Sequence, residues 1–142
     1  MTTRQQIIDE ARTWLGTPWH HRARVKGAGV DCVMLLCEVY ETTGAIPHVE
    51  PEYYPIDVMM HRDGEHVIAW LERFGSLVEV PQPADVVIFR FGRSFSHAGI
   101  IADTDLNVIH AFRSYNMVVE TRIDEHLLAG RERRFYAFRG LA

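Results

Sequence analysis

The order of periodicities along the chain predicts an α+β fold, with helices in the first half and an antiparallel sheet in the second. Three observations carry this. Apolar residues recur at helical spacing at Ile7, Ile8, Ala11, Trp14 and Leu15, and again in the run after Asp31. From residue 76 onward the pattern changes to short β-prone runs separated by turn residues. Helices followed by a strand meander make an α+β arrangement rather than alternating βα units. With 142 residues, 47% of them hydrophobic, the chain can bury a real core without disulfides or metals, and it reads as one domain over residues 1–142.

The elements follow in order. Residues 4–15 form a helix, with Thr3 as N-cap and Gly16 as stop. A loop, "GTPWHHRARVKGAGV", leads to a second helix over about residues 31–43, ended by Gly44. Residues 44–63 hold three prolines and no clear period, a long loop of the kind that is often functional. Val67, Ile68, Leu71 and Phe74 suggest a third helix over about residues 64–74. The runs "SLVEV", "DVVIFRF", "HAGIIA", "NVIHAF", "MVVETR" and "RFYAFR" read as strands, and "DTDLN" at 103–107 reads as a hairpin turn between two of them. Asp85 is expected to start a strand.

Composition narrows the function classes. A net charge of −4 argues against a nucleic-acid binder, which would ordinarily be basic. No stretch approaches the roughly 20 apolar residues of a membrane span. The first residues, "MTTRQQIIDEARTWLG", lack the apolar core of a secretory signal, so the chain is expected to be made in the cytoplasm. The two cysteines, Cys32 and Cys37, share one helix about 140° out of phase, which disfavours a disulfide between them.

The stretch "VKGAGVDCVMLLCEVYE" concentrates the chemistry. With Asp31 as N-cap, Cys32 takes the first helical position, where free N–H groups and the helix dipole favour a thiolate. Gly27 and Gly29 leave the sulfur uncrowded, while the Asp31 carboxylate opposes ionisation. The other reading of Cys32 is a small buried core residue, which is the reading for Cys37. His97 opens a strand-like run and is placed to face a helix N-terminus as a general base. His110 falls on the neighbouring strand across the hairpin, where one imidazole can orient the other. Each histidine alone reads more readily as an ordinary sheet residue, and it is the joint pattern of cysteine helix and paired strand histidines that favours the catalytic reading. The adjacent His20 and His21 and the basic "RARVK" segment at 22–26 are weaker candidates, and His48, His61, His66 and His126 have no evident partners. Cys32, His97 and His110 are zinc-competent, but no two have local ligand spacing and a fourth ligand is missing, so no metal and no cofactor is assigned. No phosphate-binding loop, dinucleotide fingerprint or serine nucleophile elbow is present.

Taken in order, "TPW…KGAGVDCVMLL", "PADVVIFR", "SHAGII" and "NVIHAF" resemble the NlpC-type cell-wall peptidases, a papain-like cysteine peptidase family. The resemblance runs from about Ile7 to Phe138, and the loop before Cys32 is most similar to the subgroup of phage tails and gene transfer agents. It implies a papain-like fold with the nucleophile at a helix N-terminus packed on an antiparallel sheet. It implies Cys32 as nucleophile, His97 as general base and His110 as the residue that orients His97. The Cys32 N–H would help form the oxyanion hole, and Trp19 stands where many relatives carry a tyrosine near the oxyanion. Val33 and Met34 replace the family's usual serine and glycine.

The resemblance further implies hydrolysis of an amide bond in the peptide stems of peptidoglycan. Partners would be tail-hub or baseplate proteins of a phage-like tail, which would carry a chain without its own export signal to the wall. Three alternatives stay open: a tail component whose site is vestigial or docks only, another thiol enzyme such as an amidase or acyltransferase, and a zinc-binding structural domain.

Overall fold

The computed structural model describes residues 1–48 and 65–141. The proline-rich loop expected over 44–63 lies mostly outside the described residues, as do His61 and the side chain of His66.

Helix α1 (Arg4–Arg12) begins at a reciprocal cap. Thr3 Oγ1 accepts the Gln6 N–H at 3.1 Å, and Gln6 Oε1 accepts the Thr3 N–H at 2.8 Å. Its Ile7, Ile8 and Ala11 are buried. The helix ends three residues earlier than its apolar period suggests, because a turn follows and Gly16 adopts φ +85°. Two strands of two residues each, β1 (Arg24–Val25) and β2 (Gly29–Val30), form a small antiparallel hairpin in what reads as loop. Helix α2 (Cys32–Thr42) is capped by Asp31, and seven of its residues are buried, on more than one face. It is therefore the central helix, covered on several sides. Helix α3 (Glu65–Phe74) opens the second described stretch.

Six strands make one antiparallel sheet: β3 (Gly75–Val78), β4 (Val86–Phe91), β5 (Ser94–Ile101), β6 (Asn107–Phe112), β7 (Met117–Arg122) and β8 (Arg133–Phe138). Their order is β3-β8-β4-β5-β6-β7. The α+β expectation holds, and all six expected strand runs are strands. The helices pack on one face, where Leu35, Leu36 and Tyr40 meet Ile88, Ile100 and Tyr136. The reverse face carries a second cluster built on Val87, Phe89, Val108, Phe112 and Leu128. Strand β5 is buried along its whole length. Tyr40 donates its hydroxyl to the Ala84 carbonyl at 2.6 Å, tying α2 to the start of β4. Asp85, just before β4, is buried and pairs with Arg4 at 2.6 Å.

Among the described residues, no helix is long and apolar enough to cross a membrane.

Candidate active site

Three local devices place the sulfur of Cys32. Asp31 stops the incoming chain in an extended conformation and accepts the Met34 N–H at 2.9 Å, fixing the first turn. Its other oxygen accepts the Arg22 N–H at 2.7 Å, which ties the preceding loop to the same carboxylate. Residues 18–20 lie alongside β2: Val30 N–H donates to Pro18 O and His20 N–H to Val30 O, both at 3.0 Å. Trp19, half-buried, is thus held beside Val30, two residues before Cys32, with the Arg113 guanidinium 5.3 Å from its ring.

The sheet meets the sulfur at a bulge. Phe89 pairs with His97 and Arg90 with Phe95, so Ser96 is left over between them. The Cys32 thiol donates to the Ser96 carbonyl at 3.7 Å. The ladder between β5 and β6 covers only Ile100↔Ile109 and Ile101↔Val108, so it has ended before Ser96. The sulfur therefore lies against β5 backbone immediately beside His97. In this resting arrangement its hydrogen-bond partner is the Ser96 carbonyl, not the His97 ring.

His97 is boxed by aromatic rings. Phe112 lies 4.6 Å away, Phe91 5.5 Å and Phe89 6.1 Å, centroid to centroid. Its Nε2 bonds His110 Nδ1 at 2.8 Å, and His110 Nε2 bonds Thr121 Oγ1 at 2.9 Å. Nε2 is thereby occupied, and Nδ1 is the nitrogen left for a reacting partner. Both imidazoles are buried, at 6% and 0% exposure. The expected pairing of two histidines across the hairpin is present.

Electrostatics in the resting site run opposite to the helix N-terminus argument. Burial, and then the Asp31 charge, push the Cys32 thiol well above its ordinary range, although the N–H groups of Ala98, Cys32 and Val33 pull it down. Burial, then His110 and Arg131, hold His97 well below the usual imidazole range. Burial lowers His110 to about 4. Of the two readings of Cys32, the resting site has the buried neutral thiol, beside a neutral imidazole, because desolvation outweighs the backbone N–H groups and the helix dipole.

Other candidates separate from this cluster. Arg24 is paired with Glu38 at 2.6 Å and Glu41 at 2.7 Å, and Lys26 with Glu10 at 2.9 Å, so these two members of the basic segment face the protein's own carboxylates. His48 pairs with Glu41 at 3.3 Å and His126 with Glu125 at 2.8 Å. Both cysteines are free thiols, and Cys37 is buried mid-helix. No group of three or more metal-ligating side chains occurs among the described residues.

Three residues that sequence reasoning missed belong to the site. Thr121 ends the hydrogen-bonded row. Ser96 supplies the carbonyl at the sulfur, and its own buried hydroxyl has no partner among the described residues. Gly99 lies where β5 approaches His110. The available signal was the alternation of "SHAGII" and "MVVETR", but it becomes informative only once the strand register is known.

No family model matches the chain, and no curated protein matches it. Solved structures do. The NlpC/p60 domain of the peptidoglycan hydrolase SagA is similar over 93% of this chain and 97% of that one, with 16% identity and a TM-score of 0.64. An NlpC/p60 family protein from Bacillus cereus is similar over 94% of this chain, with 18% identity and a TM-score of 0.67; the match spans 40% of that chain. An N-acetylmuramoyl-L-alanine amidase from Bacteroides uniformis is similar over 95% and 98% of the two chains, with 12% identity and a TM-score of 0.61. The bulged β5, the capped cysteine helix and the antiparallel sheet thus assemble into the fold of the NlpC/p60 structures.

Proposed function

We propose that this chain is a cysteine peptidase that hydrolyses an amide bond in the peptide stems of peptidoglycan. One observation carries the reading: a thiol at a capped helix N-terminus lies against the strand residue preceding His97, whose far nitrogen is held by His110 at 2.8 Å. That is the arrangement a nucleophile, a base and an orienting group require. The likeness to a domain described as a peptidoglycan hydrolase supports the substrate class.

In this mechanism Cys32 is the nucleophile, and His97 Nδ1 takes its proton as the sulfur attacks the amide carbonyl. Because burial keeps both groups neutral at rest, proton transfer accompanies attack rather than preceding it. The sulfur leaves the Ser96 carbonyl to engage the substrate. The tetrahedral oxyanion meets the N–H of Cys32, with the Trp19 indole as a second donor. His97 then protonates the leaving amine, and water hydrolyses the thioester. His110 holds His97 in the reactive orientation.

The same proposal places the chain in a phage-like tail, joined to hub or baseplate proteins and acting on the wall from outside the cytoplasm. It rests on the loop before Cys32, which resembles the tail and gene-transfer-agent subgroup. A second reading, a tail component whose site only docks, is favoured by the 2% exposure of Cys32 and its raised thiol pKa.

Digestion of purified peptidoglycan, followed by mass spectrometry of released peptides, tests the hydrolase reading. Wild type is expected to release stem peptides and Cys32→Ala none. Equal release, or release by neither, overturns it, and the masses name the bond.

A further inference from the structure

The hydrogen-bonded row beyond His97 does not stop at His110. His110 Nε2 lies 2.9 Å from Thr121 Oγ1, on β7. The pairing of β6 with β7 sets Val108 opposite Thr121 and His110 opposite Val119, so Thr121 is the diagonal neighbour of His110. Thr121 is half-buried, whereas His110 is fully buried. The row therefore runs from the enclosed thiol region outward to the edge strand.

Such a row has two self-consistent proton arrangements. In one, His97 Nε2–H donates to His110 Nδ1, and His110 Nε2–H donates to Thr121 Oγ1. This leaves the lone pair of His97 on Nδ1. In the other, the Thr121 hydroxyl donates inward, His110 carries its proton on Nδ1, and His97 carries its proton on Nδ1 as well. The second arrangement removes the base that Cys32 needs. An imidazole nitrogen is fixed as donor or acceptor by what its partner nitrogen does, so the far end of the row decides the near end.

We propose that Thr121 is a positioning residue, its hydroxyl accepting from His110 and so holding both imidazoles as Nε2–H tautomers with the His97 Nδ1 lone pair available to Cys32. The proposal rests on the peptidase reading for the use made of that lone pair. Glu125, four residues beyond Thr121, raises the proton affinity of the His110 ring through its carboxylate charge, against the larger opposing effect of burial. One oxygen of that carboxylate is buried and has no hydrogen-bond partner among the described residues. Burial keeps both rings neutral near pH 7, so tautomer rather than charge is the property to be set.

The test is long-range nitrogen–proton correlation spectroscopy of the histidine rings at pH 7, which reads tautomers without any substrate. In wild type, His97 and His110 are expected to show protonated Nε2 and unprotonated Nδ1. Thr121→Val, which keeps the β-branched shape, is expected to mix the His110 tautomers and slow iodoacetamide alkylation of Cys32 by up to about tenfold, the value of one hydrogen bond. Thr121→Ser is expected to restore both. Protonated Nδ1 on either ring of wild type overturns the proposal, whether or not the variants fold. So do unchanged tautomers in Thr121→Val. A chain with the expected tautomers that leaves peptidoglycan intact would remove the hydrolase reading and leave this one standing.

Discussion

Gly99 leaves no space between itself and His110. A β-carbon built on Gly99 would stand 3.0 Å from the His110 Cβ, 2.5 Å from Val108 Cγ1 and 3.1 Å from the Ile109 carbonyl oxygen. The absence of a side chain at this one position allows β6 to approach β5 closely enough for the 2.8 Å contact between the two imidazoles.

Gly99→Ala is therefore expected to force β6 away from β5. Overpacking of this kind costs about 1–3 kcal/mol. The stability loss would appear as a lower urea midpoint. Stem-peptide release should fall further than the folded fraction does, because the His97–His110 contact lengthens even in molecules that fold. Unchanged release from a destabilised variant would show that the spacing is not needed.

Asp31 does two jobs with opposite signs. It accepts the N–H groups of Met34 and Arg22, and its charge helps keep the Cys32 thiol protonated. Asp31→Asn keeps the size but removes the charge. It is expected to cost about 1–2 kcal/mol of stability, because one acceptor faces a donor that the amide cannot satisfy. The pH midpoint of Cys32 alkylation should move down, though burial, the larger cause, keeps it above that of an ordinary thiol. An upward move would contradict the assigned role of the Asp31 charge.

Acid should weaken the fold through the histidine pair. His110 is held at about 4 by burial, against an ordinary imidazole near 6.5. A base with a lowered pKa in the folded state binds fewer protons there than in the unfolded chain across that window. Its stability is fully present above about pH 6.5 and is lost as pH falls toward 4. For His110 alone the loss is on the order of 3 kcal/mol at the acid end. Urea unfolding at several pH values should show this slope, and His110→Asn should flatten it. A slope unchanged in His110→Asn would assign the acid sensitivity to other groups.

The parts of the site legible in the sequence were those with local signals. Asp31 before an apolar helical run marks a cap, and the alternation around His97 and His110 marks strands joined by the 103–107 turn. Ser96, Gly99 and Thr121 were not legible, because each matters through strand register: a bulge on β5, a close approach to β6, and a diagonal contact on β7. The ionisation of Cys32 stayed open in the sequence for a related reason. The helix N-terminus is visible locally, whereas the burial that outweighs it comes from strands more than sixty residues away. Sheet order was also hidden, since nothing local to residues 133–138 says that they insert between β3 and β4.

That insertion governs when the molecule becomes complete during its own synthesis. Strand β8 is the last of the eight to leave the ribosome, yet it is interior to the sheet, and without it β3 has no neighbour through which to join β4. Residue 32 emerges early, but the strands that enclose its sulfur and align His97 and His110 emerge only with the second half. Assembly is thus dominated by contacts distant in sequence, which form late. The nascent chain consequently lacks the β5 backbone against which the Cys32 sulfur packs until residue 101 has been made, and lacks an interior strand of its sheet until residue 138 has been made.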